Sequence, residues 1–469
     1  MAALPDRAAA PVAPSAFASP EIARPVAERL AAFARAVDFG SLPAAVVDKA
    51  TGCLTDFFGC VLEARPLPWG RQVAAYAGMQ PAGPARVIGT DLSLGAGEAA
   101  FANGTLGHGL IREDMHVPAC SHLGVVVWPT LLALAAGRRV AGPDLIAAAV
   151  AGYEIGARVG RALFDADLAA RLRPTGTVGA IGAAAAGCRL LGLSQAETVS
   201  AIGYAANCAA GVNEWPWAGG TEVFFHAGFA ARSAVTAVQL ATTGAFASPT
   251  AIDGRAGLFA AHGRRERAAG IEPLGDGNYE ILSVYWKPAP ACNYVQTPCQ
   301  VALDLVHQGV TADRVVRIEV ASFTPALRYP GCDRSGPFPG ILEAKMSIQY
   351  AIAATLVRGA VEEANYVRLD DPAVLRLAGL TELAVDPVFE VAYPERQGAG
   401  ITVTLNDGRR VSARRDDVTA VDRSGVRERL RAAATTRLGA ARADTLVDAI
   451  DGLAQGGDAA TLVDLAVAS

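Results

Sequence analysis

The sequence predicts a mainly α-helical protein with an inserted α+β unit. Three observations lead there. Helix-period apolar segments follow one another with short breaks from about residue 20 to 270. The pattern then changes: DRVVRIEVAS alternates as a strand does, and GITVTLNDGRRVSARR reads as a hairpin turning at Asn406-Asp407-Gly408. After residue 417 the helical period returns. The predicted arrangement is a disordered tail (1–19), a large all-helical domain (20–274 with 417–469), and a smaller α+β lid (275–416).

Taken in order, Ser19-Pro20-Glu21 is a helix start, and the helix runs to about Arg35. A second helix spans about 43–63, its apolar side carrying Val46, Ala50, Leu54, Phe57, Phe58 and Val61. ARVIGTDLSLGAGEAAFANG reads as a loop followed by a helix. Pro143-Asp144 opens a further helix through AGYEIGARVGRALF. TGTVGAIGAAAAGCRLLGL is Gly/Ala-rich and predicts a central, closely packed helix. Ser194 and Glu197 have capping-box spacing before the next one. LTELAVDPVFE offers one or two short strands. The spacing in SGVRERLRAAATTRLGAARADTLVDAIDGLA suits packing back on the first domain.

Hydrophobic residues make up 52% and charged residues 19%, so the chain is built to bury much of itself. A net charge of −5 argues against nucleic acid as a partner. MAALPDRAAAPVAPSAFASPEIA has no continuous apolar region of the secretory kind. The longest uncharged run lies within Ala119–Gly137, where Pro129 is expected to break it, so no membrane span is expected. Eight cysteines without a C-x-x-C pair read as buried thiols of a cytoplasmic protein, with no metal centre.

The stretch FANGTLGHGLIREDMHVPACSHLGVVVWPTLLALAAG stands apart. It carries His108, His116 and His122, three of six histidines, with Arg112, Glu113 and Asp114 between them. Ionisable residues and helix-interrupting glycines at the entry to an apolar helix are the pattern of an active-site loop.

Eight pieces in order resemble the MmgE/PrpD family: ANGTLGHGLIREDMH, SHLGVVVWPTLLALA, AGYEIGARVGRAL, RPTGTVGAIGAAAAGCRLLGLS, HAGFAARSAVTAVQLATTG, DGRAGLF, WKPAPACNYVQTPCQVALDL and EAKMSIQYAIAATL. That family includes 2-methylcitrate dehydratases, cis-aconitate decarboxylases and an iminodisuccinate epimerase. The resemblance implies a helical domain with an α+β lid, a site between them, and a homodimer. It implies proton abstraction next to a carboxylate of a small-molecule substrate, without metal or cofactor. Carried over position by position, it makes His122, Lys287 and Tyr329 the candidate catalytic groups. The chain also departs from the family pattern. Where the family has Asp, Thr, His and Lys, it has Ile111, Met115, Arg173 and Phe224. With Arg112, Trp215 and Trp217, these are the candidate substrate-binding residues. Apolar bulk in place of ions implies a substrate larger or more apolar than a tricarboxylate. The alternatives are an ordinary dehydratase or decarboxylase acting on a small polycarboxylate, and a binding protein that lost the chemistry.

Overall fold

The computed structural model describes residues 24–271 and 275–467. The predicted helix onset at Ser19 and the predicted tail lie outside them. Within them the first helix spans Val26–Ala36. The second spans Ala44–Ala64 and buries Val46, Ala50, Leu54, Phe57, Phe58 and Val61.

The centre is a stack of helices rich in small residues. Every residue from Pro174 to Cys188 of the Pro174–Leu190 helix is buried. It crosses the Gly142–Leu163 helix so closely that a Cβ on Gly182 would collide with the Gly152 carbonyl oxygen. A Cβ on Gly152 would lie 2.9 Å from that of Ala186. Glycine at both positions lets the two backbones touch, with no large side chain between them. The Val223–Thr242, Ala96–Gly107 and Gly124–Ala135 helices pack around this pair.

Two local expectations need correction. Pro129 does not break the apolar run; it sits inside the Gly124–Ala135 helix, every residue of which is buried. Tertiary packing there outweighs the lost backbone hydrogen bond. The loop expected before the Ala96–Gly107 helix contains a small hairpin, Ala82–Arg86 with Ser93–Leu94. The Ser194–Glu197 capping box is formed in both directions. Among the described residues no helix is long and apolar enough to cross a membrane.

The second half carries a four-stranded sheet in the order Thr381–Val385, Val315–Ser322, Ala399–Leu405, Arg410–Arg415. The first pair is parallel and the others antiparallel. Gly408, at φ 81°, makes the hairpin turn. The DPVFE run is a short helix, Pro387–Ala392, capped by the Asp386 side chain. The Arg423–Leu438 helix packs on Ala44–Ala64, and Val426, Leu430, Ala434 and Leu438 join the same apolar core as the first helices. The sheet therefore lies in sequence between two stretches that share one core. Arg429 on that returning helix donates to the carbonyls of Lys287 (2.8 Å) and Pro288 (2.9 Å).

Gly182→Ala should therefore destabilise the fold by about 1–3 kcal/mol, the usual cost of forcing a methyl into a filled contact. Urea unfolding checks this, and an unchanged midpoint would contradict the close crossing.

Candidate active site

The Ala96–Gly107 helix ends at His108, and the chain turns through Ile111 and Glu113 into Met115–His116. That short strand pairs with Val284–Tyr285. A tight turn follows, and His122 enters just before the Gly124–Ala135 helix. Asp114 fixes that entry: its carboxylate accepts from the Gly124 N–H (3.2 Å) and from the Tyr153 hydroxyl. Only glycine fits at 124, because a Cβ there would lie 2.6 Å from Asp114 Oδ2. Burial raises the Asp114 carboxyl to about 6.

Glu113 is the hub. Its Oε1 lies 2.5 Å from His108 Nδ1 and 3.2 Å from His122 Nδ1, and all three residues are buried. His122 Nδ1 also lies 2.9 Å from the Asp114 carbonyl oxygen. Both neighbours of that nitrogen are acceptors, so it carries the proton. In the neutral ring Nε2 is then left as a free base. Burial holds His122 well below its ordinary pKa, against the pull of Glu113, so neutral is its resting form. His108 is fixed in the same tautomer, because its Nε2 accepts from Arg173 Nη2 at 3.2 Å. Burial works against charge on Glu113, but His108, His122 and Lys287 outweigh it and hold the carboxyl well below the usual range.

His122 lines a narrow cavity of about 40 Å³. Of the sequence-derived candidates, Ile111, Met115, Arg173, Trp215 and Tyr329 line it too. Arg173 precedes the Pro174–Leu190 helix, held by its own N–H to the Gly211 carbonyl (2.8 Å), and its Nε has no hydrogen-bond partner among the described residues. Trp215 is fixed by its indole N–H to Asn213 Oδ1 (3.1 Å). Burial pushes the Tyr329 hydroxyl up to about 12, so it stays protonated.

Four candidates lie elsewhere. Arg112 makes a two-pronged ion pair with Glu63 (2.6 and 3.1 Å), which takes its guanidinium away from the cavity. Trp217 is 69% exposed to solvent. Phe224 is buried against Trp69, ring centroids 3.7 Å apart, so a lysine there would disturb that stack instead of the cavity wall. Lys287 is fully buried behind the wall and donates to the Ile111 carbonyl. Burial lowers its pKa to about 8.

Sequence reasoning missed Cys120, Val223, Cys292, Asn293, Tyr294, Met346 and Tyr393, which also line it. Cys292, taken with the other cysteines as a buried thiol, was legible only as a neighbour of Lys287 in WKPAPAC. His116, by contrast, is committed on both nitrogens, to Glu280 (3.0 Å) and the Ala119 N–H (3.2 Å). No group of three or more His, Cys, Asp or Glu converges as a metal set among the described residues.

The backbone of the wall is strained. Ile111 (φ 55°) and Cys120 (φ 49°) are the non-glycine residues with positive φ among those described, and both face this cavity. A β-branched residue at positive φ is an outlier, and such strain gathers at functional sites.

Two family models match, the MmgE/PrpD N-terminal domain over residues 28–269 and the MmgE/PrpD C-terminal domain over 289–451. The chain belongs to the MmgE/PrpD family. The resemblance read from the eight motifs is borne out. A cis-aconitate decarboxylase-like protein, oryM, of Aspergillus oryzae is 37% identical over 212 residues, covering 43% of this chain and 44% of that protein. The cis-aconitate decarboxylase of Aspergillus terreus is 31% identical over 210 residues, 43% of each chain. Both matches span less than half of the relative's length. The 2-methylcitrate dehydratase of Salmonella typhimurium is 27% identical over 397 residues, covering 77% of this chain and 79% of that one.

Strain at Ile111 makes a measurable inversion. Ile111→Ala loses the side chain and keeps the strained backbone, at about 2–5 kcal/mol. Ile111→Gly loses the same atoms and relieves the strain, so it should cost less than Ile111→Ala by about 1 kcal/mol or more. Denaturant titration of the two variants decides; alanine as the milder change would overturn the reading.

Proposed function

We propose that this MmgE/PrpD protein is a lyase or isomerase that removes a proton from a carbon next to a carboxylate. The observation that carries the reading is the tautomer of His122, which leaves Nε2 as the base on the cavity wall. In this mechanism Nε2 takes the proton, and Glu113 stabilises the resulting imidazolium through Nδ1. The Arg173 guanidinium holds the carboxylate, and the protonated Tyr329 hydroxyl donates to the developing negative charge or the leaving group. The sheet-bearing segment acts as a lid, contributing Cys292, Tyr329, Met346 and Tyr393 to the cavity.

The substrate on this reading carries one carboxylate and an apolar body. A tricarboxylate needs several cations, and Arg173 is the one cationic residue lining the cavity among those described. Ile111, Met115, Trp215, Val223 and Met346 offer it apolar contact. The relatives' names favour a second reading, a dehydratase or decarboxylase acting on a small polycarboxylate. Preferred turnover of a tricarboxylate over acids of lower charge would select that reading and reject ours. Absence of any turnover, with ligand affinity unchanged in His122→Ala, would select a binding protein.

The protein is further proposed to act in the cytoplasm, where its eight unpaired cysteines suit a reducing medium. It is proposed to form a homodimer. Phe229 and Leu240 expose apolar side chains on the Val223–Thr242 helix, at a spacing that puts them on one face. Light scattering should give twice the chain mass at micromolar concentration, and a monomer refutes it.

His122→Ala should lower turnover by about 100- to 10,000-fold while the protein stays folded. The pH profile carries the sign of the shifts. His122 titrates below its ordinary value, so its basic form persists as pH falls, and kcat/KM should hold its plateau to below about pH 6.5. Above about 8 Lys287 loses the charge that supports Glu113, and activity should decline. An acid limb at or above pH 7 would rule out His122 as the base.

A further inference from the structure

Cys292 stands on the cavity wall and takes no part in the proton transfer proposed above. It precedes a single 3-10 turn, Asn293–Val295, that runs directly into the Gln296–His307 helix. Its sulfur lies 3.7 Å from that of Cys332. The Tyr294 N–H bonds the Cys292 sulfur, and Lys287 and Arg173 are the cations acting on it. Burial raises a thiol, but here the Cys332 hydrogen bond, the Tyr294 N–H and the two cations outweigh it and hold Cys292 below the ordinary value. Cys332 is fully buried, and burial together with Cys292 pushes it well up. Cys332 therefore stays a thiol, and whenever Cys292 is the anion Cys332 is the donor of the pair. Arg173 is 8% exposed, lines the same cavity, and keeps an Nε donor without a partner among the described residues. A thiol held below its ordinary range and a guanidinium with one N–H still free thus line one cavity.

We propose that Cys292 is a nucleophilic thiolate of the cavity, selective for small electrophiles that carry a carboxylate, such as α-halo acids and α,β-unsaturated acids. Arg173 holds the carboxylate and Cys292 attacks the carbon. With an α-halo acid the S–C bond forms, the carbon–halogen bond breaks, and halide leaves with the bonding pair. The thiol proton goes to solvent before the attack, and the thiolate sulfur supplies the pair that forms the new bond. With an unsaturated acid the sulfur adds to the β-carbon, the π pair shifts to the α-carbon, and that carbon takes a proton from water. Alkylation needs no turnover, so the inference stands or falls apart from the proposed reaction.

The probes are iodoacetate and its neutral counterpart iodoacetamide, applied to the full chain at neutral pH and read by peptide mass spectrometry. Cys208 is the exposed thiol and serves as the internal reference. Iodoacetate should label Cys292 ahead of Cys208. The ratio of iodoacetate to iodoacetamide rates should be about tenfold higher at Cys292 than at Cys208, the scale of one charge-assisted contact. Arg173→Gln should remove that excess while leaving iodoacetamide labelling in place. Cys332→Ala, which deletes the donor, should move the pH midpoint of labelling upward, and Cys332→Ser should largely restore it. The proposal is overturned if Cys208 reacts first, if the rate ratio is equal at the two sites, or if labelling of the native chain follows an ordinary thiol near pH 8.5.

Discussion

A carboxylate buried between two imidazoles governs the site. Glu113 has no solvent to stabilise its charge, so its neighbours must do so. They do it with ring N–H groups, and that demand fixes which nitrogen of His108 and of His122 holds the proton. The same demand ties Arg173 to the free nitrogen of His108. One buried charge therefore sets the donors and acceptors along Arg173, His108, Glu113 and His122. It also explains the resting state of His122: neutral because it is buried, yet beside an anion ready to stabilise the charge it acquires on taking a proton.

Such a chain works only on a scaffold that holds its ends still. The Gly/Ala-rich crossing of the Gly142–Leu163 and Pro174–Leu190 helices supplies that, because backbones in contact cannot slide without collision. Arg173 is carried at the end of the second helix, and Tyr153, on the first, holds the carboxylate of Asp114. The returning Arg423–Leu438 helix reaches the same place from the other side, since Arg429 grips the carbonyls of residues 287 and 288. The position of Lys287 behind the wall thus depends on packing between helices far apart in sequence.

Periodicity made the helices legible, and alternation made three of the four strands plain. Pro129 was misread because propensity is local, while the burial that keeps its helix intact is not. In the site, His122 was legible from its motif and Arg173 from the family's histidine position carried over onto it. Lys287 shows the limit: its motif is kept, but the direction of its side chain depends on the Ile111 carbonyl, 176 residues away in sequence. Arg112 and Trp217 failed for a similar reason. Sequence neighbourhood placed them near the cavity, while Glu63 and the solvent decided where they point. Cys292 could not be distinguished from other buried thiols until Cys332 was seen beside it.

Ile111 joins these arguments. Positive φ suits glycine, asparagine or aspartate, and a β-branched side chain is the poorest fit. The aspartate that the motif resemblance implies at this position would fit such a backbone better than isoleucine does. Lys287, the hydrogen bond from the Ile111 N–H to the His108 carbonyl, and the packing of the wall still enforce that conformation. The position therefore presents a hydrocarbon to the cavity on a backbone that is not free to relax. An apolar side chain held there against the backbone's preference gives the cavity a fixed hydrocarbon surface at that point.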